Sequence, residues 1–172
     1  MEDQTGLYSY SLFNTAFGWV AVVASGYGLR YISLPQPRPE QAMGLIGDFI
    51  SQAIANTSFF RDIEGRLQAY FTGEPVDFPM DIDIQHATDF QQAVWRTTAS
   101  IPYGETRTYG WVAQAIGKPQ SARGVGQALG QNPLPIVIPC HRVVGDKDLG
   151  GFSGGVEMKK RLLELEAQAG VS

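Results

Sequence analysis

Cys140 and His141 stand side by side in Pro139-Cys140-His141-Arg142-Val143; they are the chain's only cysteine and one of its two histidines. A thiolate is a strong nucleophile, and an imidazole nearby can take the proton that the thiol must lose. The pair has the makings of a nucleophile with its general base. A single cysteine also serves as a small buried hydrophobe, so the pair alone leaves both roles open. The run Pro135 to Ile138 that leads into it is apolar and largely β-branched, which predicts a buried extended segment. Pro139 has no N–H and biases Ile138 away from helix, so the run should end where the cysteine begins. Side chains alternate along an extended segment, and His141 then need not touch Cys140 directly.

The elements that must hold this pair follow from the pattern on either side. Thr88 and Gln91 form a capping box that opens a helix with Phe90, Val94 and Trp95 on its apolar face. Ile101-Pro102-Tyr103-Gly104 stops that helix. Two short helices are predicted next, Tyr109 to Ile116 closed by Gly117, and Pro119 to Leu129 closed by Gly130-Gln131-Asn132. Joined by a short turn, they fit a helix-turn-helix. The second of them is built from small residues (Ala122, Gly124, Gly126, Ala128) with Arg123 as its only charge, a surface that lets backbone lie close to a partner. A last helix is predicted over Val156 to Ala169. The first half has strand character at Tyr8 to Phe13, Trp19 to Ala24 and Leu29 to Leu34, predicting a small antiparallel sheet. Helices are predicted over Glu40 to Ala55 and Phe59 to Phe71, with Gly73 ending the second. Met80 to Ala87 reads as a crossing. The expected organisation is an α/β domain over residues 1–87 and a mostly helical domain over residues 88–172.

Hydrophobic residues make up 44% of the 172 and charged ones 17%, an ordinary globular composition. The net charge of −4 is unevenly spread: residues 1–87 hold 10 acids and 4 bases, residues 88–156 hold 4 acids and 6 bases. The only positive segment is the one with the Cys-His pair. Six bases are few for nucleic-acid binding, so such binding would have to lean on backbone amides and helix ends. One cysteine excludes an internal disulfide and a Cys-rich zinc site. The acidic start Met1 to Thr5 lacks the order of a signal peptide, and no apolar run approaches spanning length. A cytoplasmic protein without membrane contact, metal or cofactor is expected.

Ile101-Pro102-Tyr103-Gly104-Glu105-Thr106, Tyr109-Gly110, Arg123-Gly124-Val125-Gly126, Asn132-Pro133, Pro139-Cys140-His141-Arg142-Val143, Phe152-Ser153-Gly154-Gly155 and Leu162-Leu163-Glu164-Leu165-Glu166 occur in this order. Together they resemble the C-terminal half of the O6-alkylguanine-DNA alkyltransferases, densely from about Phe90 to Glu166 and more thinly before. The resemblance implies an RNase-H-like first domain and a second, winged-helix-like domain. It implies direct repair of double-stranded DNA from the minor groove, with flipping of the damaged base. The alkyl group of O6-alkylguanine, with O4-alkylthymine as a possible second substrate, would pass irreversibly to Cys140 in a single turnover, the protein acting as a monomer. By the same resemblance His141 is the base acting through a water, Glu166 holds its other nitrogen, Tyr109 donates toward the leaving guanine and Asn132 braces the cysteine loop. Arg123 fills the vacated stack, with Ala122, Gly124 and Gln127 beside it on the DNA. Leu129, Pro135, Val143, Phe152 and Ser153 form the pocket. Phe152 stands where the family usually has tyrosine, Gly124 where it has alanine, and Trp111 where an acid is common. Two other functions fit the residues: a DNA-binding regulator with a sensor thiol, and a cysteine hydrolase, for which His86 is the only separate histidine.

Overall fold

The computed structural model describes residues 7–169; the acidic start Met1 to Thr5 lies outside them. The chain divides into two compact units, the first ending at Ile84 and the second opening at Gln85. The first holds a four-stranded sheet ordered β3-β2-β1-β4, with β1 at Tyr8–Thr15, β2 at Gly18–Ser25, β3 at Gly28–Ile32 and β4 at Ala53–Ala55. The three long strands are antiparallel as expected, Ser9 opposite Ala24 and Val22 opposite Ile32. The fourth is parallel to β1, Tyr8 opposite Ala53, so the sheet is mixed rather than antiparallel. Val20 to Ala24 are all buried, which places cover on both faces of β2. Ala42 and Ile46 pack on the face of Ala21 and Val23. Helix α3 (Arg61–Phe71) buries Ile63, Leu67, Tyr70 and Phe71 and ends at Gly73, whose φ of 96° suits glycine.

The single helix expected over Glu40 to Ala55 is three elements. Helix α1 (Pro39–Leu45) stops at Ile46, a one-turn α2 (Gly47–Ile50) follows, and β4 takes the remainder. Gly44 and Gly47 flank the break, each costing about 1 kcal/mol of helix propensity. The stretch Ala53-Ile54-Ala55 gains more as a ladder partner of β1 than as a further turn of helix.

In the second unit α4 (Asp89–Ala99) opens with the expected capping box: the Gln91 N–H donates to Thr88 Oγ1 at 3.1 Å and the Thr88 N–H donates to Gln91 Oε1 at 3.0 Å. Helix α5 (Tyr109–Ala115) starts on Thr108, whose Oγ1 accepts from the Trp111 N–H. It closes as a Schellman motif, Gly117 donating to the Gln114 carbonyl and Lys118 to that of Ala113. Helix α6 (Ala122–Gly130) begins three residues later than expected, because residues 118–121 form a turn closed by Ser121 N–H on the Lys118 carbonyl. Trp95 Nε1 donates to the Ala128 carbonyl at 2.8 Å and ties α4 to α6. Two-residue strands β5 (Arg107–Thr108) and β6 (Val143–Val144) pair in parallel, and α7 (Val156–Ala169) ends the described chain. No helix among the described residues is long and apolar enough to cross a membrane.

Candidate active site

The run Pro135 to Ile138 is buried as expected but is not extended. It is a tight turn in which the Ile138 N–H donates to the Leu134 carbonyl at 2.8 Å and Ile136 takes a φ of 75°. A β-branched residue at positive φ is strained, and its surroundings must enforce it. Asn132 does so from inside the turn: Oδ1 accepts from the Leu134 N–H at 2.9 Å and Nδ2 donates to the Ile138 carbonyl at 2.8 Å. Cys140 to Arg142 then form one 3₁₀ turn. Successive residues there diverge by about 120° rather than alternating. Cys140 and His141 still face different ways, but for a helical reason and not the extended one expected.

Behind the cysteine lies a cluster of buried charge. His141 is fully buried and its Nε2 meets Glu166 Oε2 at 2.5 Å. Arg142 donates from Nε to Glu166 Oε1 at 2.8 Å and from a terminal nitrogen to Oε2 at 3.1 Å. The Gly104 N–H donates to Oε1 at 3.0 Å. Glu166, 2% exposed, thus collects four hydrogen bonds on two oxygens. Sequence reasoning placed Glu166 here through the family pattern alone, and it missed Arg142 and Lys159. Lys159 is fully buried, and its Nζ donates to the carbonyls of Val143 at 2.7 Å and Gly151 at 3.0 Å and to the Tyr109 hydroxyl at 3.5 Å. A signal existed: Lys159, Leu162 and Glu166 fall on one stripe of α7, an odd place for charge on a core-facing helix.

In front of the cysteine is a cleft of about 710 Å³, within the roughly 300–1,000 Å³ usual for small-molecule sites. It brings together Tyr109, Ala122, Arg123, Gln127, Leu129, Cys140, Phe152 and Ser153, all of them expected site residues. The loop residues Gly145, Asp146, Gly150 and Gly151 also line it and were not singled out as site residues from sequence. Gly150, at φ 71°, lies so close to Tyr109 that a Cβ would fall 2.8 Å from its ring. Arg123 and Gln127, one turn apart on α6, are both exposed. Gly124 faces Phe90 of α4, where a Cβ would meet the ring at 3.2 Å. Two expected pocket positions are corrected. Pro135 is buried within the cysteine turn and Val143 is buried on β6 beside Arg107; neither lines the cleft.

Burial pushes the Cys140 thiol above its usual range, opposed by hydrogen bonding from Asn132 and by the charge of Lys159. Burial likewise pushes His141 down, against the pull of Glu166, with Arg142 and Lys159 adding to the depression. Tyr109 is pushed up, chiefly by burial. The arrangement offers a thiol that can attack into the cleft, a neutral imidazole held at one nitrogen by a carboxylate, and a phenol able to donate.

Residues 89–168 match the family model for the 6-O-methylguanine DNA methyltransferase DNA-binding domain. A Methanosarcina acetivorans methylated-DNA–protein-cysteine methyltransferase is 36% identical over 158 residues, covering 91% of this chain and 97% of its own. The chain belongs to the methylated-DNA–protein-cysteine methyltransferase family. A Mycobacterium bovis member is 52% identical over 102 residues, 59% of this chain and 61% of its own length. Among solved structures of the family, Mycobacterium tuberculosis OGT in complex with DNA superposes with a TM-score of 0.80 at 37% identity, covering 94% of both chains. The Mycobacterium tuberculosis O6-methylguanine methyltransferase gives 0.78 at 36% identity over the same shares.

Proposed function

We propose that the protein repairs DNA by moving the alkyl group of O6-alkylguanine in duplex DNA onto Cys140, once per molecule. One observation carries this reading: Cys140 opens into a cleft that also holds Tyr109 and the exposed Arg123, while His141 and Glu166 are joined directly behind it. An alkylated O6 lies inside the base stack, so the base must leave the duplex before sulfur can reach its carbon in line. The cleft is the place for it. Sulfur forms a bond to the alkyl carbon as the carbon–O6 bond breaks. The thiol proton passes through a water to His141, whose positive charge Glu166 offsets; the departing guanine gains a proton from the Tyr109 hydroxyl, and Tyr109 regains one from solvent as His141 gives its proton up. Atoms balance without a cofactor: thiol and alkylguanine become thioether and guanine.

The rest of the second unit supports DNA as the partner. Helices α5 and α6 act as a helix-turn-helix whose small-residue second helix enters the minor groove, with Arg123 occupying the gap left by the flipped base and Ala122 and Gln127 beside it. Phe152 and Ser153 close the cleft over the base, and Asn132 keeps the cysteine turn in its strained form. O4-alkylthymine is a secondary substrate. Residues 1–87 serve as a structural domain of RNase-H-like type, which the order β3-β2-β1-β4 supports, and residues 88–172 carry DNA binding and chemistry, in a monomer. Intact mass after incubation with O6-methylguanine duplex tests the reading. One added methyl, mapped to Cys140 and absent in Cys140→Ser, is expected; an unmodified Cys140 beside a tight DNA complex would favour the regulator with a sensor thiol.

A further inference from the structure

Asp146 is the only acid among the residues that line the cleft, as Arg123 is the only base. The reaction as written uses the arginine and leaves the acid without a role. A carboxylate on a cleft that takes in part of a polyanion is out of place. Asp146 is exposed, and it forms no ion pair among the described residues. Lys147 beside it is exposed too but does not line the cleft. The loop that carries Asp146 is braced by its other acid. Asp148 Oδ1 accepts from the Gly150 N–H at 3.0 Å and lies so close to Gly145 that a Cβ there would collide with it. Further on, Gly150 lies against the Tyr109 ring and the Gly151 carbonyl accepts from Lys159 Nζ at 3.0 Å. Asp148 is thus taken up within the loop, while Asp146 is left unpaired on the cleft.

We propose that Asp146 is a specificity-determining residue for base entry: its carboxylate repels the phosphates on either side of any nucleotide turned into the cleft. This rests on the reading of the cleft as the place of the flipped base. A base is joined to its two phosphates through one sugar, so a base inside brings both to the rim. The repulsion is the same for every base, but its consequence is not. An undamaged base loses its stacking and pairing on entry and gains little inside, so a small added penalty turns it out. An O6-alkylated base pairs poorly and gains the contacts of its alkyl group with the apolar wall, and it stays. Repaired guanine falls back among the undamaged bases, so the same charge favours release of the product.

A duplex carrying 2-aminopurine as an undamaged base reads this directly, because its emission rises when the base leaves the stack. At saturating protein, Asp146→Asn should raise the enhancement of emission about three- to fivefold over wild type, the worth of one unit repulsion at about 4–6 Å in water. The gain should shrink as salt is added, since screening shortens the reach of the repulsion. Glu164→Gln removes the same charge from an exposed site on α7 that does not line the cleft, and it should leave the emission at the wild-type level. Emission unmoved in Asp146→Asn, or raised equally in Glu164→Gln, overturns the proposal. Emission that falls in Asp146→Asn overturns it too, and would show the carboxylate accepting from an amine of the base. A wild-type chain that binds duplex but takes no methyl from O6-methylguanine would refute the alkyl-transfer reading, while the 2-aminopurine emission still judges Asp146.

Discussion

Glu166→Gln separates what the buried carboxylate does for the fold from what it does for the chemistry. The substitution keeps volume and removes the charge that accepts two hydrogen bonds from Arg142, one from the Gly104 N–H and one at His141 Nε2. An amide offers one acceptor oxygen and places an N–H₂ among donors. Arg142, 6% exposed, is left as a buried cation without its counter-ion. Breaking such a pair from one side costs about 3–5 kcal/mol, which for a chain of this size lowers Tm by about 6–20 °C. Methyl transfer should also slow by about 10²–10⁴ as the imidazole loses its anchor. Adding Arg142→Met removes the orphaned charge, and much of the stability should return, because a buried pair replaced as a whole is often nearly neutral. The transfer rate should not return with it. Differential scanning calorimetry and single-turnover transfer on the two single variants and the double variant make the test. Recovery of both quantities together in the double variant would show that Glu166 supports only the fold; a Glu166→Gln chain that melts like wild type would refute the buried ion pair.

Arg123→Ala should lose methyl transfer on duplex DNA and keep its reaction with free O6-benzylguanine, which needs no flipping; equal losses on both would assign Arg123 to the cleft itself. His141 is held below its usual 6.5 by burial, so below pH 6.5 the unfolded chain binds a proton that the folded one refuses, and stability falls as pH drops from 6.5 toward the folded value. Denaturant melts of wild type and His141→Asn should converge across that window, the variant lacking this part of the acid loss, and parallel curves would count against a neutral buried imidazole. With 6 bases in residues 88–156, the slope of log K against log salt for duplex binding should be about −2 to −4, at roughly −0.9 per phosphate. A slope near −10 would mean that another, more basic face holds the DNA.

What the sequence disclosed depended on whether the signal was local. The capping box at Thr88 and Gln91, the glycine stops at Gly73 and Gly117 and the span of α7 follow from short-range chemistry, and the structure has them. The Cys-His pair was legible because its members are adjacent and sit in a dense run of family motifs. Long-range choices were not legible. Ala53-Ile54-Ala55 reads as the end of a helix until β1 is present to pair with it. Pro135 to Ile138 reads as a strand because β-branched residues favour one, while Asn132 bends it into a turn and drives Ile136 to positive φ. Arg142 and Lys159 are not singled out by the sequence because their partners, Glu166 and three oxygens from separate elements, meet them only in the folded unit. Nothing local to Gly124 announces Phe90, which packs against it from α4.

On the proposed reading Cys140 accepts the alkyl group and keeps it. A thioether cannot be opened by thiol exchange, which needs a sulfur–sulfur bond to attack, and the sequence holds no second cysteine to resolve it. Titration with an excess of duplex carrying tritiated O6-methylguanine measures this directly. Label on protein should rise and stop at one methyl per molecule, all of it on Cys140, and added reductant should not restart the reaction. Release of many repaired guanines per protein molecule, with Cys140 unmodified at the end, would contradict the account.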